Sequence, residues 1–128
     1  MAVIEYTFQM QTNGFLNTRQ LNRHYASHGA EFGAKSATQY QALADMFLGG
    51  IRVQPIEECV RGKGDIVRFN PTTDEYGVLD SGKTIRTYFK PVSCASLSGP
   101  IRIAMQQSGR CHGHASNLLY FQSECKKW

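Results

Sequence analysis

Residues Asp65 to Pro91 read DIVRFNPTTDEYGVLDSGKTIRTYFKP, three runs of alternating character separated by two turn clusters. DIVRF, EYGVLD and TIRTYFK each have the period of two expected of strands. Asn70, Pro71 and Thr72 mark the first turn, and Asp80, Ser81 and Gly82 the second. The stretch therefore predicts a three-stranded antiparallel meander. Strict alternation along the last strand puts Ile85, Thr87 and Phe89 on one face and Arg86, Tyr88 and Lys90 on the other. A guanidinium, a phenol and an ammonium in a row suit the gripping of a phosphate. They also suit the wet face of an ordinary antiparallel strand.

Upstream the period is that of helices. Asn17 to Gln20 has capping-box spacing, and Leu21, Tyr25 and His28 follow at steps of four and three until Gly29. A second box from Ser36 to Gln39 opens a helix with Tyr40, Leu43, Ala44 and Phe47 as its apolar stripe and Gly49 and Gly50 as its stop. AVIEYTF, residues 2–8, alternates as an opening strand would. Helices followed by a change to period two predict an α+β fold, with the N-terminal helices packed on one side of an antiparallel meander. Beyond Pro91, VSCASLSGP and SGRCHGHAS read as loops and IRIAM as one more short strand. Residues from Asn117 to Trp128 read as a short helical or irregular tail.

At 128 residues the chain is expected to form one domain, residues 1–128. Fourteen basic against ten acidic residues leave a formal charge of +4, which favours an anionic partner without reaching the basic density of a DNA-coating protein. No apolar run approaches the ~20 residues needed to span a bilayer, and Glu5 stands where an export signal would carry its basic segment. Cys59, Cys94, Cys111 and Cys125 fit free thiols, one or two disulfides, or packing, so the redox compartment stays open.

His28, at the end of a helical pattern and beside the polar run AEFGAKS, is placed as a general base would be: fixed by a helix yet open to substrate. A histidine at a helix end, favoured there by the helix dipole, is the plainer alternative. His24 lies one turn earlier, giving H-x-x-x-H, but no acidic or cysteine ligand is placed to complete a metal site. Cys111, His112 and His114, with Cys125 later, match no common zinc module. Two solvated histidines and a thiol on a loop suffice to explain them, with His112 or His114 kept as a second catalytic imidazole.

Taken together, HGAEFG, the helix SATQYQALADMF, the meander GDIVRFNPTTDEYGVLDSGKTIRTYFKP and the tail NLLYFQSEC resemble the colicin D-like toxin domains of the barnase, EndoU and colicin ribonuclease superfamily. The resemblance covers His24 to Pro91 and, more loosely, the tail. The FNP turn and the TYFKP strand are its most specific pieces. Such domains occur at the tips of bacterial polymorphic and contact-dependent inhibition toxins and as small separate proteins. The resemblance implies an endoribonuclease that needs no metal or other cofactor, commonly cuts tRNA near the anticodon in the bacterial cytoplasm, with delivery from another cell as one route, and is neutralised by a cognate immunity protein or antitoxin. Its catalytic histidine carries over to His28. Arg68, Asn70, Thr72, Arg86, Thr87, Tyr88 and Lys90 are the matching positions of the meander. The family's namesake has a lysine just before that histidine, where this chain has Ser27.

The expected chemistry is removal of the 2'-hydroxyl proton of RNA by His28, attack of that oxygen on the adjacent phosphorus, and release of a 5'-hydroxyl beside a 2',3'-cyclic phosphate. Arg86, Thr87, Tyr88 and Lys90 complete the catalytic set, with Arg86 or Lys90 on the phosphoryl oxygens and Tyr88 or a second histidine as acid. His24, Lys35, Arg68, Asn70 and Thr72 are the substrate-binding candidates. Two other classes compete with this expectation. One is a noncatalytic RNA- or protein-binding module of the same fold, the other a zinc-dependent nuclease built on the histidines and cysteines.

Overall fold

Helix N-caps and hairpin turns set the frame. In the computed structural model, which describes residues 9–127, Asn17 and Ser36 each accept a hydrogen bond from the backbone N–H three residues on, at Gln20 and Gln39. These caps open α1 (Thr18–His28) and α2 (Ala37–Gly49). The meander follows as β2 (Ile66–Phe69), β3 (Tyr76–Leu79) and β4 (Ile85–Phe89), preceded by a strand the alternation did not reveal, β1 (Glu57–Val60). The four strands form one antiparallel sheet in chain order, and the architecture is α+β. The proposed opening strand at residues 2–8 lies outside the described residues.

The register of β3 against β4 decides which side chains reach solvent. Val78 faces Thr87 but Leu79 faces Ile85, so Arg86 is the extra residue of a bulge. Ile85 and Tyr88, three apart, consequently share the face that α2 covers. There they join Phe15, Tyr40, Ala44, Phe47, Leu48 and Leu79 in one buried cluster. Gly77, opposite Tyr88, lets Leu48 approach so closely that a Cβ would stand 3.0 Å from it. The expected polar row Arg86, Tyr88, Lys90 is thus broken at the bulge.

The sheet is covered on both faces, not one as the sequence suggested. Val67, Phe69, Tyr76 and Val78 turn the other way and pack against Phe121 of α4 (Asn117–Cys125), with Phe89 and Tyr120 at the margin. A meander whose strand β3 is buried at every position needs a cover on each side. The Cys59–Cys125 disulfide ties α4 to β1, and a second links Cys94 to Cys111.

IRIAM is not a strand. It lies in α3 (Gly99–Gln107), which begins with Pro100 in the first turn and has no buried residue. The alternating isoleucines Ile101 and Ile103 are both exposed, so no sheet edge claims them. Among the described residues, no helix is long and apolar enough to cross a membrane.

Candidate active site

His28 is the last residue of α1, and the chain turns at once into a 3-10 segment, Gly29–Phe32, that brings Glu31 back toward it. Glu31 Oε2 lies 2.7 Å from His28 Nδ1. A carboxylate only accepts, so Nδ1 carries a proton, and the neutral tautomer this selects presents a bare Nε2. The other oxygen, Glu31 Oε1, accepts from the backbone N–H of Lys90 at 2.7 Å. One carboxylate therefore orients the imidazole and pins the end of β4 beside it. Phe89 backs the ring at 5.2 Å between centroids. Lys90 extends over Phe32, its Nζ 5.4 Å from the ring centre, while Phe32 stacks on buried Tyr88 at 4.1 Å.

Across from His28, the segment after α3 closes a cleft of about 640 Å³ whose lining includes His28, Glu31, Lys90, Arg110, His112 and Tyr120. The Cys94–Cys111 bridge fixes that segment. Next to it His112 exchanges backbone hydrogen bonds with Val92 and Cys94, each 2.9 Å. Lys90 and Arg110 have no anionic partner among the described residues. The result is a concave site with one oriented base and two uncompensated cations.

His112 does not supply a second proton-transfer group. Asn117 Nδ2 donates to Asp74 Oδ1 and to the Pro91 carbonyl, which leaves Asn117 Oδ1 to accept from His112 Nε2 at 2.7 Å. His112 Nδ1 in turn accepts from the backbone N–H of His114 at 3.2 Å. With both nitrogens used and its ring stacked on Tyr120 at 4.6 Å, His112 is a neutral wall of the cleft. His114 lies outside the cleft, with Nε2 3.2 Å from Ser123 Oγ. Tyr120 stays a protonated phenol, since burial first and the Glu124 charge second push its pKa up to about 12.

Of the residues singled out in the sequence, the structure brings His28, Lys90 and His112 to one cleft, His24 and Arg86 to another depression, and places the others elsewhere. Tyr88 is 1% exposed. Its hydroxyl donates to Glu75 Oε2 at 2.5 Å, and burial with that bond raises its pKa far above the ordinary phenol value. It is core and cannot serve as the acid. Arg68 is also buried: Nε donates to Glu58 at 2.7 Å and Nη1 to the carbonyls of Phe47 and Gly50, so it caps the end of α2 instead of meeting substrate. Asn70 and Thr72 build the β2–β3 turn, where Asn70 Oδ1 accepts from Thr72 N–H at 2.9 Å. Thr87 opposes Val78 on the α4 side, and Lys35 is exposed just before α2. Arg86 and His24 line a second depression.

The zinc expectation loses its sulfur ligands, because Cys111 and Cys125 are both consumed in disulfides. Among the described residues no three histidine, cysteine, aspartate or glutamate side chains are grouped to hold a metal. Glu31 and Arg110 are the site residues that alternation and spacing passed over. Glu31 had a signal, three residues after His28 within HGAEFG, whereas nothing local marks Arg110.

No protein-family model and no curated protein sequence matches the chain.

Proposed function

We propose that the protein is a metal-independent endoribonuclease acting by transphosphorylation. The observation that carries this reading is the His28–Glu31 pair facing unpaired Lys90 and Arg110 in one cleft. His28 Nε2 takes the 2'-hydroxyl proton, the 2'-oxygen bonds to phosphorus, and the bond to the 5'-oxygen breaks. Arg110 and Lys90 stabilise the charge that gathers on the phosphoryl oxygens. The Lys90 ammonium gives a proton to the departing 5'-oxygen and regains one from solvent as His28 releases its own. The products are a 2',3'-cyclic phosphate and a 5'-hydroxyl.

The sequence resemblance supports a more specific version, a toxin that cuts tRNA near the anticodon in the bacterial cytoplasm and is held in check by an immunity protein. Two disulfides suit a protein that spends time in an oxidising space, as one passed between cells would. An acidic partner covering the cleft would meet Lys90 and Arg110 by charge complementarity. The second reading is a noncatalytic RNA-binding module, favoured by the absence of a second proton-active imidazole at His112.

The test is incubation with total bacterial RNA in excess EDTA, beside a His28→Ala control, resolved on a denaturing gel. Discrete tRNA-sized fragments ending in cyclic phosphate, made only by the unsubstituted protein, are expected. Intact RNA with retarded mobility on a native gel would replace the nuclease by the binding module.

A further inference from the structure

A second depression of about 430 Å³ is lined by Gln20, Arg23, His24, Asp80, Thr84 and Arg86, among others, so α1 contributes His24 to this depression and His28 to the first. His24 and His28 sit on consecutive turns of one helix face, their rings 6.4 Å apart between centroids, so a chain leaving the His28 cleft along that face enters this depression next. Resting on the ribonuclease reading, we propose that Arg23 and Arg86 form a subsite for the phosphate of a neighbouring nucleotide. The substrate is then a single-stranded segment laid along α1, not a dinucleotide held at His28 alone.

Arg86 is where it is because of the bulge, which leaves it outside the ladder and exposed at the depression. Neither Arg23 nor Arg86 has an anionic partner among the described residues. Arg23 Nη2 donates to Gln20 Oε1 at 2.5 Å and reaches His24 Nε2 at 3.5 Å, so it is steadied over the site by neutral acceptors. Asp80 is the opposing charge in the lining. Its Oδ1 is engaged by the N–H groups of Gly82 and Thr84, each 2.9 Å, leaving two guanidinium groups against one partly satisfied carboxylate.

His24 completes the subsite as a flat surface. Its ring packs 4.9 Å from Phe15, and burial, then the Arg23 charge and the neighbouring His28, lower its pKa and favour the neutral ring. A neutral ring flanked by guanidinium groups is the equipment for stacking one base while its phosphate is gripped.

The test compares Arg23→Gln/Arg86→Gln with the unsubstituted protein on two RNA probes, a dinucleotide and an eight-nucleotide single strand, together with binding of a fully 2'-O-methylated octamer across salt concentrations. Both arginines are exposed, so folding is not at stake. Expected are a KM raised roughly tenfold on the octamer, an unchanged KM on the dinucleotide, and a log–log salt slope for the methylated octamer smaller by about 0.7, for the one phosphate the two arginines no longer neutralise. Equal KM values and an unchanged slope on the octamer, with cleavage intact, would overturn the subsite and leave the nuclease standing. Failure of the unsubstituted protein to cleave either RNA would instead remove the nuclease reading.

Discussion

Glutamine at position 31 is nearly isosteric with glutamate, yet it cannot do what Glu31 does. The carboxylate accepts at both oxygens, from His28 Nδ1–H and from the Lys90 N–H, each at 2.7 Å. An amide accepts at one oxygen only. If that oxygen stays on the Lys90 N–H, the amide NH2 faces His28 and forces the proton from Nδ1 to Nε2, which destroys the base. If the amide turns over, NH2 opposes the Lys90 N–H and the end of β4 is pushed away. Either way the cost to the fold is small, because both side chains of the pair are about 30% exposed (29% and 31%). Replacing charge-assisted bonds by neutral ones there costs about 1 kcal/mol. For 128 residues the unfolding entropy is about 0.27 kcal/mol per degree, so Tm falls by about 4 °C. Activity should fall much further, by the roughly 10² to 10⁴ that a general base contributes, or about 3 to 5 kcal/mol of barrier. The assay pairs RNA cleavage with nitrogen-15 NMR of the imidazoles, which reads the tautomer directly. Glu31→Gln with undiminished cleavage, whichever nitrogen of His28 carries the proton, would refute the assignment.

Other outcomes follow from the same packing. On the proposed ribonuclease reading, Tyr88→Phe should leave RNA cleavage within a factor of a few while losing about 1 kcal/mol through the broken bond to Glu75; loss of cleavage in a folded variant would return Tyr88 to the catalytic set. On the chain-entropy relation, opening the Cys59–Cys125 loop, 66 residues in separation, costs about 4.4 kcal/mol, and opening Cys94–Cys111, separated by 17, costs about 3. Calorimetry of the two double Cys→Ala variants should rank them in that order, and the second should also lose cleavage as Arg110 loosens. His24 has its folded pKa below the ordinary 6.5, so the unfolded chain binds the proton more readily. The stability it contributes is complete above pH 6.5 and is lost as pH falls from there through the lowered folded value. Between pH 7.5 and 5.5 the Tm of His24→Gln should therefore drop less than that of the unsubstituted protein; an equal or larger drop would contradict the neutral imidazole.

Local chemistry was legible in the sequence wherever a few adjacent residues settle it. The caps at Asn17 and Ser36 and both hairpin turns stand where their residue types place them. The bulge was not legible, since it depends on how residues 80–84 close, with Lys83 and not Gly82 in the left-handed region at φ 66°. That one residue moved Tyr88 into the core and Arg86 out of the cleft. EECV showed no strand pattern because β1 is an edge, exposed at three of four positions, and is made a strand by β2. The isoleucines of α3 alternate without a sheet to meet. In the site, His28 could be found from its place at a helix end, but Arg110 arrives there through a disulfide and a long return of the chain that no local pattern encodes.

The link between Cys59 on the edge strand and Cys125 at the end of α4 makes a closed ring of the middle and end of the chain. A linear polypeptide can be threaded through a narrow opening one residue abreast, whereas a ring must enter doubled, two backbones side by side. Any route into another cell that demands an unfolded traveller therefore requires this bond to be open before passage, and the sheet, not the sulfur link, to direct reassembly on the far side.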